Sequence, residues 1–199
     1  MTNERVSPRE RTQNAGQRRR RRGALAALIV VAFVTHPGPA QARHPELAAE
    51  FGQARMLGAS RYQVLAWPVF DAELWSPQSR FSWNEPFALS LTYRRDIEAE
   101  ALVSRSLSGM AERTRLGSRE DLAARLRACF ADVRAGDRFT GLSLSSDSAR
   151  FYLNGRRTCD ISWPGFRRAF FGIWLDARGA DRAFSARLTG ASQETSRPS

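Results

Sequence analysis

The sequence predicts an α+β domain, an antiparallel β-sheet covered on one face by helices. Three observations predict it. Segments of alternating apolar residues stand on both sides of a helical region. Two of the later segments are joined by Asn154-Gly155, and a short helix loaded with aromatics follows them. A length of 199 residues and an apolar fraction of 42% suit one domain with tails.

Residues 1–42 hold eight arginines against two acids and so carry more than half of the chain's net charge of +11. A basic block ends at Arg22, an apolar run extends from Ala24 to Val34, and a Pro/Gly break leads to Ala40-Gln41-Ala42. That order is the order of a secretory signal, with cleavage expected after Ala42 and a periplasmic or secreted destination. As a helix the apolar run would be roughly 17 Å long, short of a ~30 Å hydrocarbon core, so no stable membrane span is expected after cleavage. An ordinary positive leader accounts for the run of five arginines, and nucleic acid is not expected as a partner.

Residues 43–60 have helical composition ("PELAAEFGQARM") and are expected as a loosely attached lead-in to a domain over 61–190. Arg61 to Trp75 is rich in β-branched and aromatic residues and is expected as strand, with Pro68 marking a bulge or the join of two shorter strands. Phe87, Leu89, Leu91 and Tyr93 alternate in a half-buried strand. From Ile97 the period becomes helical, first to Thr114 and then from a Ser118 cap to Val133. Strands return over Phe139–Leu144, Arg150–Leu153 and Arg156–Ile161, the last two joined by the Asn154-Gly155 turn. Ser162 and Pro164 begin the aromatic helix, "FSARLTG" adds a last helical turn, and 191–199 is expected to be disordered.

Absences limit the chemistry. With the leader removed, His44 is the one remaining histidine, which leaves histidine-based general-base or triad catalysis without a candidate on a structured element. No metal-ligand spacing, G-x-G-x-x-G, P-loop or G-x-S-x-G occurs, so neither a metal site nor a cofactor is expected, and no catalytic residue is assigned. Cys129 and Cys159 could form a disulfide or remain two buried thiols. On the aromatic helix Trp163, Phe166, Phe170, Ile173 and Trp174 share one arc, and Arg167 falls within its wider extent. Arg167 either lifts its guanidinium to water at the sheet's edge or points into an apolar pocket to meet an anion. Arg61, Tyr93 and Tyr152 lie on predicted strands. An arginine and a tyrosine aimed between sheet and helices would make a carboxylate or phenolate site, whereas a surface arginine and a core tyrosine would look the same in sequence.

"RYQVLAWPVFDAELW", "FALSLTYRRDI", "GDRFTGLSLSSDSARFYLNG" and "FRRAFFGIWLD", in that order and spacing, resemble the bacterial chalcone isomerase-like family. The likeness runs from about Arg61 to Gly190 and is most specific in "FYLNG…FFGIWL". It implies an open-faced β-sandwich, a large antiparallel sheet with helices on one face and a ligand cleft between them. Plant members close a chalcone to a flavanone with an early-strand arginine, a tyrosine, an asparagine and a lysine. Here Ile97 to Val133 has no Tyr and no Asn, the chain has no Lys, and Trp163 stands where the enzymes carry a polar residue. Only the early-strand arginine carries over, as Arg61. The weakened polar set resembles the non-catalytic, fatty-acid-binding members, which hold a carboxylate with arginine and tyrosine.

Leader, residue pattern and resemblance together lead to the expectation of an exported, non-catalytic protein holding a small apolar acid or lipid-like ligand, with Arg61, Tyr93, Tyr152 and Arg167 as candidate anchors. An isomerase of the intramolecular lyase type is the alternative, and an envelope interaction protein with a filled cleft is a third reading. The sequence is silent on oligomeric state.

Overall fold

A computed structural model describes residues 44–115, 117–176 and 182–191, all within the compact unit Gly38–Ser199. The leader predicted over 1–42 and the tail beyond Ala191 lie outside the described residues. After helix α1 (Pro45–Phe51), strands β1 (Arg55–Val64), β2 (Trp67–Ser76) and β3 (Phe87–Tyr93) follow one another. Helices α2 (Ala99–Ala111) and α3 (Arg119–Cys129) then lead to β4 (Arg138–Ser143), β5 (Ser148–Leu153) and β6 (Arg156–Ser162). The six strands form one antiparallel sheet in sequential order, β1 to β6. A π-helical turn (Arg167–Phe171), α4 (Gly172–Leu175) and α5 (Arg182–Thr189) complete the described elements.

The predicted α+β layering holds, and local chemistry explains most of it. Asn154 and Gly155 have φ of 52° and 80°, as a type I′ hairpin requires. The Ser118 side chain accepts the Asp121 N–H at 3.2 Å and caps α3. Alternation in β3 sends Phe87, Leu89, Leu91 and Tyr93 to one face, where they meet Phe70, Leu74, Phe139, Phe151 and the aromatics of the π-helical segment. Each of the fully buried Phe87, Phe151, Phe166 and Phe171 contributes roughly 1.5–3 kcal/mol by leaving water. Cys129 and Cys159 form a disulfide, which ties the end of α3 to β6 and settles the choice left open by the sequence.

Three expectations are corrected. The sheet begins at Arg55, inside the segment expected as a loose lead-in. The long strand expected from Arg61 to Trp75 is a hairpin, in which Val64 pairs with Trp67 across Leu65-Ala66 and Pro68 sits opposite Gln63 at a register shift. That irregularity leaves room for a residue that cannot donate to the ladder. The helix predicted from Ser162 is a π-helical turn that runs into α4. Wider winding there lets the adjacent Phe170 and Phe171 both enter the core.

The lead-in helix also has a place. α1 lies on the sheet's second face, with Leu47 packed on Ala88, Leu142 and Tyr152. Glu46 and Glu50, four residues apart, share the side of α1 that faces the sheet. Glu46 takes bonds from Arg138 at 3.2 Å and Thr140 at 2.9 Å, and Glu50 from Arg150 at 2.7 Å and Tyr152 at 2.6 Å. β3 is therefore buried on both faces rather than half-buried. α2, α3, α4 and α5 cover the first face. The Gly58 position lets α5 come this close, because a Cβ there would lie 2.1 Å from the Arg187 carbonyl oxygen.

Candidate functional site

Between the first face of the sheet and α2, α4 and α5 lies a cavity of about 820 Å³. Its floor comes from the inward residues of the strands, among them Tyr62, Phe70, Leu91, Phe139 and Phe151. One stripe of α2, Leu102, Ser106 and Gly109, forms part of the roof, and Arg113, just past the helix end, continues it. Ile173 and Trp174 of α4 and Phe184 of α5 complete it. Gly109 lets α2 and α4 cross closely, since a Cβ there would meet Ile173 Cγ1 at 2.9 Å. The volume lies within the ~300–1,000 Å³ of small-molecule sites, and so does the character, mostly apolar with a few polar groups.

Two of those polar groups are inside. Tyr93 is 4% exposed, and its hydroxyl has no hydrogen-bond partner among the described residues. Burial pushes its phenol pKa up, so the hydroxyl keeps its proton at any physiological pH and can donate. Arg113 Nη1 donates to the Gly109 carbonyl at 2.8 Å, and Nη2 reaches the Ile173 carbonyl at 3.5 Å. Its Nε–H is buried and has no partner among the described residues. Arg113 also sits 3.7 Å from the largely exposed Glu112 carboxylate, an ion pair of little weight. Arg95, Asp96, Glu98 and Arg105 stand at the rim.

Of the four residues singled out from the sequence, Tyr93 alone lines this cavity. Arg61 points to the second face, because it pairs in register with Asp71 while its neighbour Tyr62 pairs with the inward Phe70. It is half exposed and donates to Asp71 Oδ1 at 2.6 Å, and Arg94 binds the same carboxylate. Those two arginines hold the Asp71 pKa below the usual carboxylate range. Tyr152 also faces away and donates to Glu50 on α1. Burial, followed by the Glu50 carboxylate, pushes its phenol pKa up.

Arg167 satisfies neither reading open to it. It is buried, not raised to water, and it does not line the cavity. Its Nε donates to Ser143 Oγ at 2.6 Å and its Nη1 to the Trp83 carbonyl at 2.7 Å, with the guanidinium 5.8 Å from the Phe87 ring centroid. It ties β4 to the β2–β3 loop, and burial lowers its pKa. Arg113 was not singled out from the sequence, although its i, i+4 relation to Gly109 continues the cavity stripe of α2.

The described histidine, His44, belongs to the second face. Its Nε2 bonds Glu73 Oε2 at 2.9 Å, and its Nδ1 lies 3.7 Å from Glu46 Oε1, too far for a hydrogen bond. Burial lowers the His44 pKa, but the Glu46 and Glu73 carboxylates outweigh it and the net shift is upward. Glu46 feels burial pushing it up, and the His44 ring beside it, bonds from its own backbone and Thr140, and the Arg138 charge bring it down to about 2. Among the described residues no group of three His, Cys, Asp or Glu side chains could hold a metal ion.

Residues 77–190 match the model of the chalcone isomerase-like family. The chain belongs to that family. The match spans β3 to α5 and begins after the β1–β2 hairpin. Among solved structures, this chalcone isomerase-like chain is similar to a fatty-acid binding protein of Arabidopsis thaliana. The TM-score is 0.55 and the identity 7%, over 70% of this chain and 88% of that one. At that identity the likeness is one of fold. No curated protein sequence matches this family member.

Proposed function

We propose that this chalcone isomerase-like protein is exported and binds, without transforming, a small apolar carboxylate such as a fatty acid in the cavity between sheet and helices. The observation that carries the reading is an aromatic-lined space of about 820 Å³ whose wall includes Tyr93, with no hydroxyl partner among the described residues, and the Arg113 guanidinium. Unpaired polar groups in an apolar wall cost stability unless a ligand satisfies them, and a carboxylate accepts from both donor types. The fatty-acid binding protein of similar fold lends support by analogy. The leader pattern and the Cys129–Cys159 disulfide support export to an oxidising compartment.

The lyase alternative is weaker on chemistry. Ring closure needs a group that moves a proton near neutral pH, and the phenol of Tyr93 is shifted the wrong way. His44 is on the other face. A cavity of about 820 Å³ supports the ligand reading over the third, a filled cleft.

Native mass spectrometry of protein from its own expression host should show a bound acid. Delipidated protein should then bind long-chain fatty acids at least tenfold tighter than their methyl esters, about 1.4 kcal/mol for the charged head. A chalcone mixed with the protein should cyclise no faster than in buffer. Failure to bind any acid of a chain-length series, or stereoselective cyclisation at enzymatic speed, would sink the proposal.

A further inference from the structure

Among the described residues four large apolar side chains stand in solvent, and three of them share one turn: Val64 at 51%, Leu65 at 93% and Trp67 at 72% exposure. The turn joins β1 to β2. Leu65 has a φ of 57°, a conformation that turn chemistry gives to glycine or asparagine. The chain uses that chemistry elsewhere, at Asn154-Gly155. Here it places a leucine against the backbone preference, where the side chain touches no core. A solvent-facing hairpin tip would gain from Asn or Gly, so the fold itself gives no reason for Leu65.

Arginines surround the tip. Trp67, Pro68, Arg94 and Arg95 line a shallow groove beside the turn. Arg94 shares Asp71 with Arg61, so two arginines meet one carboxylate on this side, and Arg95 makes no ion pair among the described residues. The nearby Asp96 accepts the Ala135 N–H and is turned to the following loop. Val64, Val69 and Arg95 also line the large cavity, which puts the tip at its mouth.

We propose that this tip docks on an anionic phospholipid surface. Leu65 and Trp67 enter the boundary between headgroups and acyl chains, where tryptophan is at home, and Arg94 and Arg95 meet lipid phosphates from the groove. The cavity mouth then faces the bilayer. Docking stands on the tip alone. Its consequence, loading of an acid directly from the membrane, rests on the proposed function.

The test uses the full chain with an environment-sensitive nitrobenzoxadiazole label on Leu65→Cys, and a control label on Asn84→Cys in the exposed loop at the opposite end of the sheet. The native cysteines are paired, which leaves the introduced thiol for labelling. Phosphatidylcholine vesicles containing phosphatidylglycerol should blue-shift and brighten the label at 65 and leave the label at 84 unchanged. Local readout separates the tip from anything the N-terminal segment does. Leu65→Asn with Trp67→Thr should weaken vesicle partition at least about tenfold. Arg94→Gln and Arg95→Gln should each cost about fivefold and reduce the dependence on phosphatidylglycerol. Leu65→Asn suits the positive φ, so loss of binding there is not a folding defect.

A silent label at 65, an equal response at both positions, or a response at 65 that follows protein concentration without vesicles would overturn the proposal. The last result would mark the tip as a contact between copies. Neither Leu65 nor Trp67 lines the cavity, so affinity for dissolved fatty acid should be unchanged in the double variant while transfer from vesicles slows. Vesicle binding without any bound acid would leave docking intact and end the proposed function.

Discussion

Replacing Tyr93 by phenylalanine should move stability and ligand affinity in opposite directions. The ring is 4% exposed and packs edge-on to Phe70 at 6.1 Å, contacts that phenylalanine keeps. The substitution removes only a hydroxyl that has no partner among the described residues and lies against an apolar cavity. A polar group left unsatisfied costs up to about 1–3 kcal/mol, and relief of the part that the cavity-facing hydroxyl bears should stabilise the ligand-free protein by about 1 kcal/mol. For a domain of this size that is a rise in Tm of about 2–4 °C. With a fatty acid present the sign reverses. A hydrogen bond to a charged group contributes about 1.5–3 kcal/mol, so affinity should fall between roughly tenfold and a hundredfold. Urea denaturation of delipidated protein gives the first quantity and calorimetric titration the second. A ligand-free variant less stable than the parent would show that the hydroxyl was already satisfied. Unchanged affinity would show that it never meets the ligand. Either result refutes the reasoning.

Other consequences follow from the same geometry. Arg113→Met should lower fatty-acid affinity with little effect on the methyl ester, whereas Arg61→Ala, on the second face and exposed, should leave affinity unchanged in the same titration. The carboxyl of Glu46, held at about 2 against an ordinary 4.5, contributes about 3 kcal/mol that is fully present above pH 4.5 and lost as pH falls toward 2. His44, raised from 6.5, contributes below that pH and loses its share as pH rises through the folded value, so urea midpoints should peak between about 4.5 and 6.5 and Glu46→Gln should flatten the acid limb. Removing the disulfide with Cys129→Ser and Cys159→Ser, across a separation of 30 residues, should cost about 3.5 kcal/mol in the same denaturation assay.

Most of the fold was legible because local signals agree with it. The Asn154-Gly155 turn, the Ser118 cap and the alternation of Phe87 to Tyr93 each act within a few residues, and each appears where the pattern puts it. The site was less legible because it depends on parity and on contacts across long separations. A strand sends neighbours to opposite faces, so the family's early-strand arginine serves the cleft only if its register is right. β1 has irregularities between Met56 and Gly58 and between Tyr62 and Gln63, and each can exchange the faces. Tyr62 faces in, and Arg61 faces out. Tyr152 had the opposite parity from Phe151 in sequence as well, but its partner Glu50 is 102 residues away on a helix expected to be loose. Arg113 lay past the last apolar residue of its helix, where composition suggests a solvated end. Only the close crossing at Gly109 and Ile173 turns it inward.

The survival of so large a space needs its own explanation, since interiors are packed near crystal density and an empty apolar wall forfeits dispersion contacts. Collapse requires the roof to descend onto the sheet, and the roof is pinned at its edges. α3 is fixed to β6 by Cys129–Cys159, and the α5 backbone rests on Gly58. α2 and α4 are joined at Gly109 and Ile173, with Arg113 bridging both carbonyls. The floor cannot rise, because α1 clamps the second face through Glu46 and Glu50. A single substitution that filled the cavity would gain packing, yet Phe139, Phe151 and Phe170 spend their contacts on one another and on Phe130 instead. A sheet and helices held apart by a disulfide, a glycine and a charged clamp form a container whose walls are fixed from outside the cavity. Under the proposed binding role, walls pinned in this way would reduce the cost of reordering the chain, which favours affinity for a flexible apolar chain over catalytic closure around a rigid one.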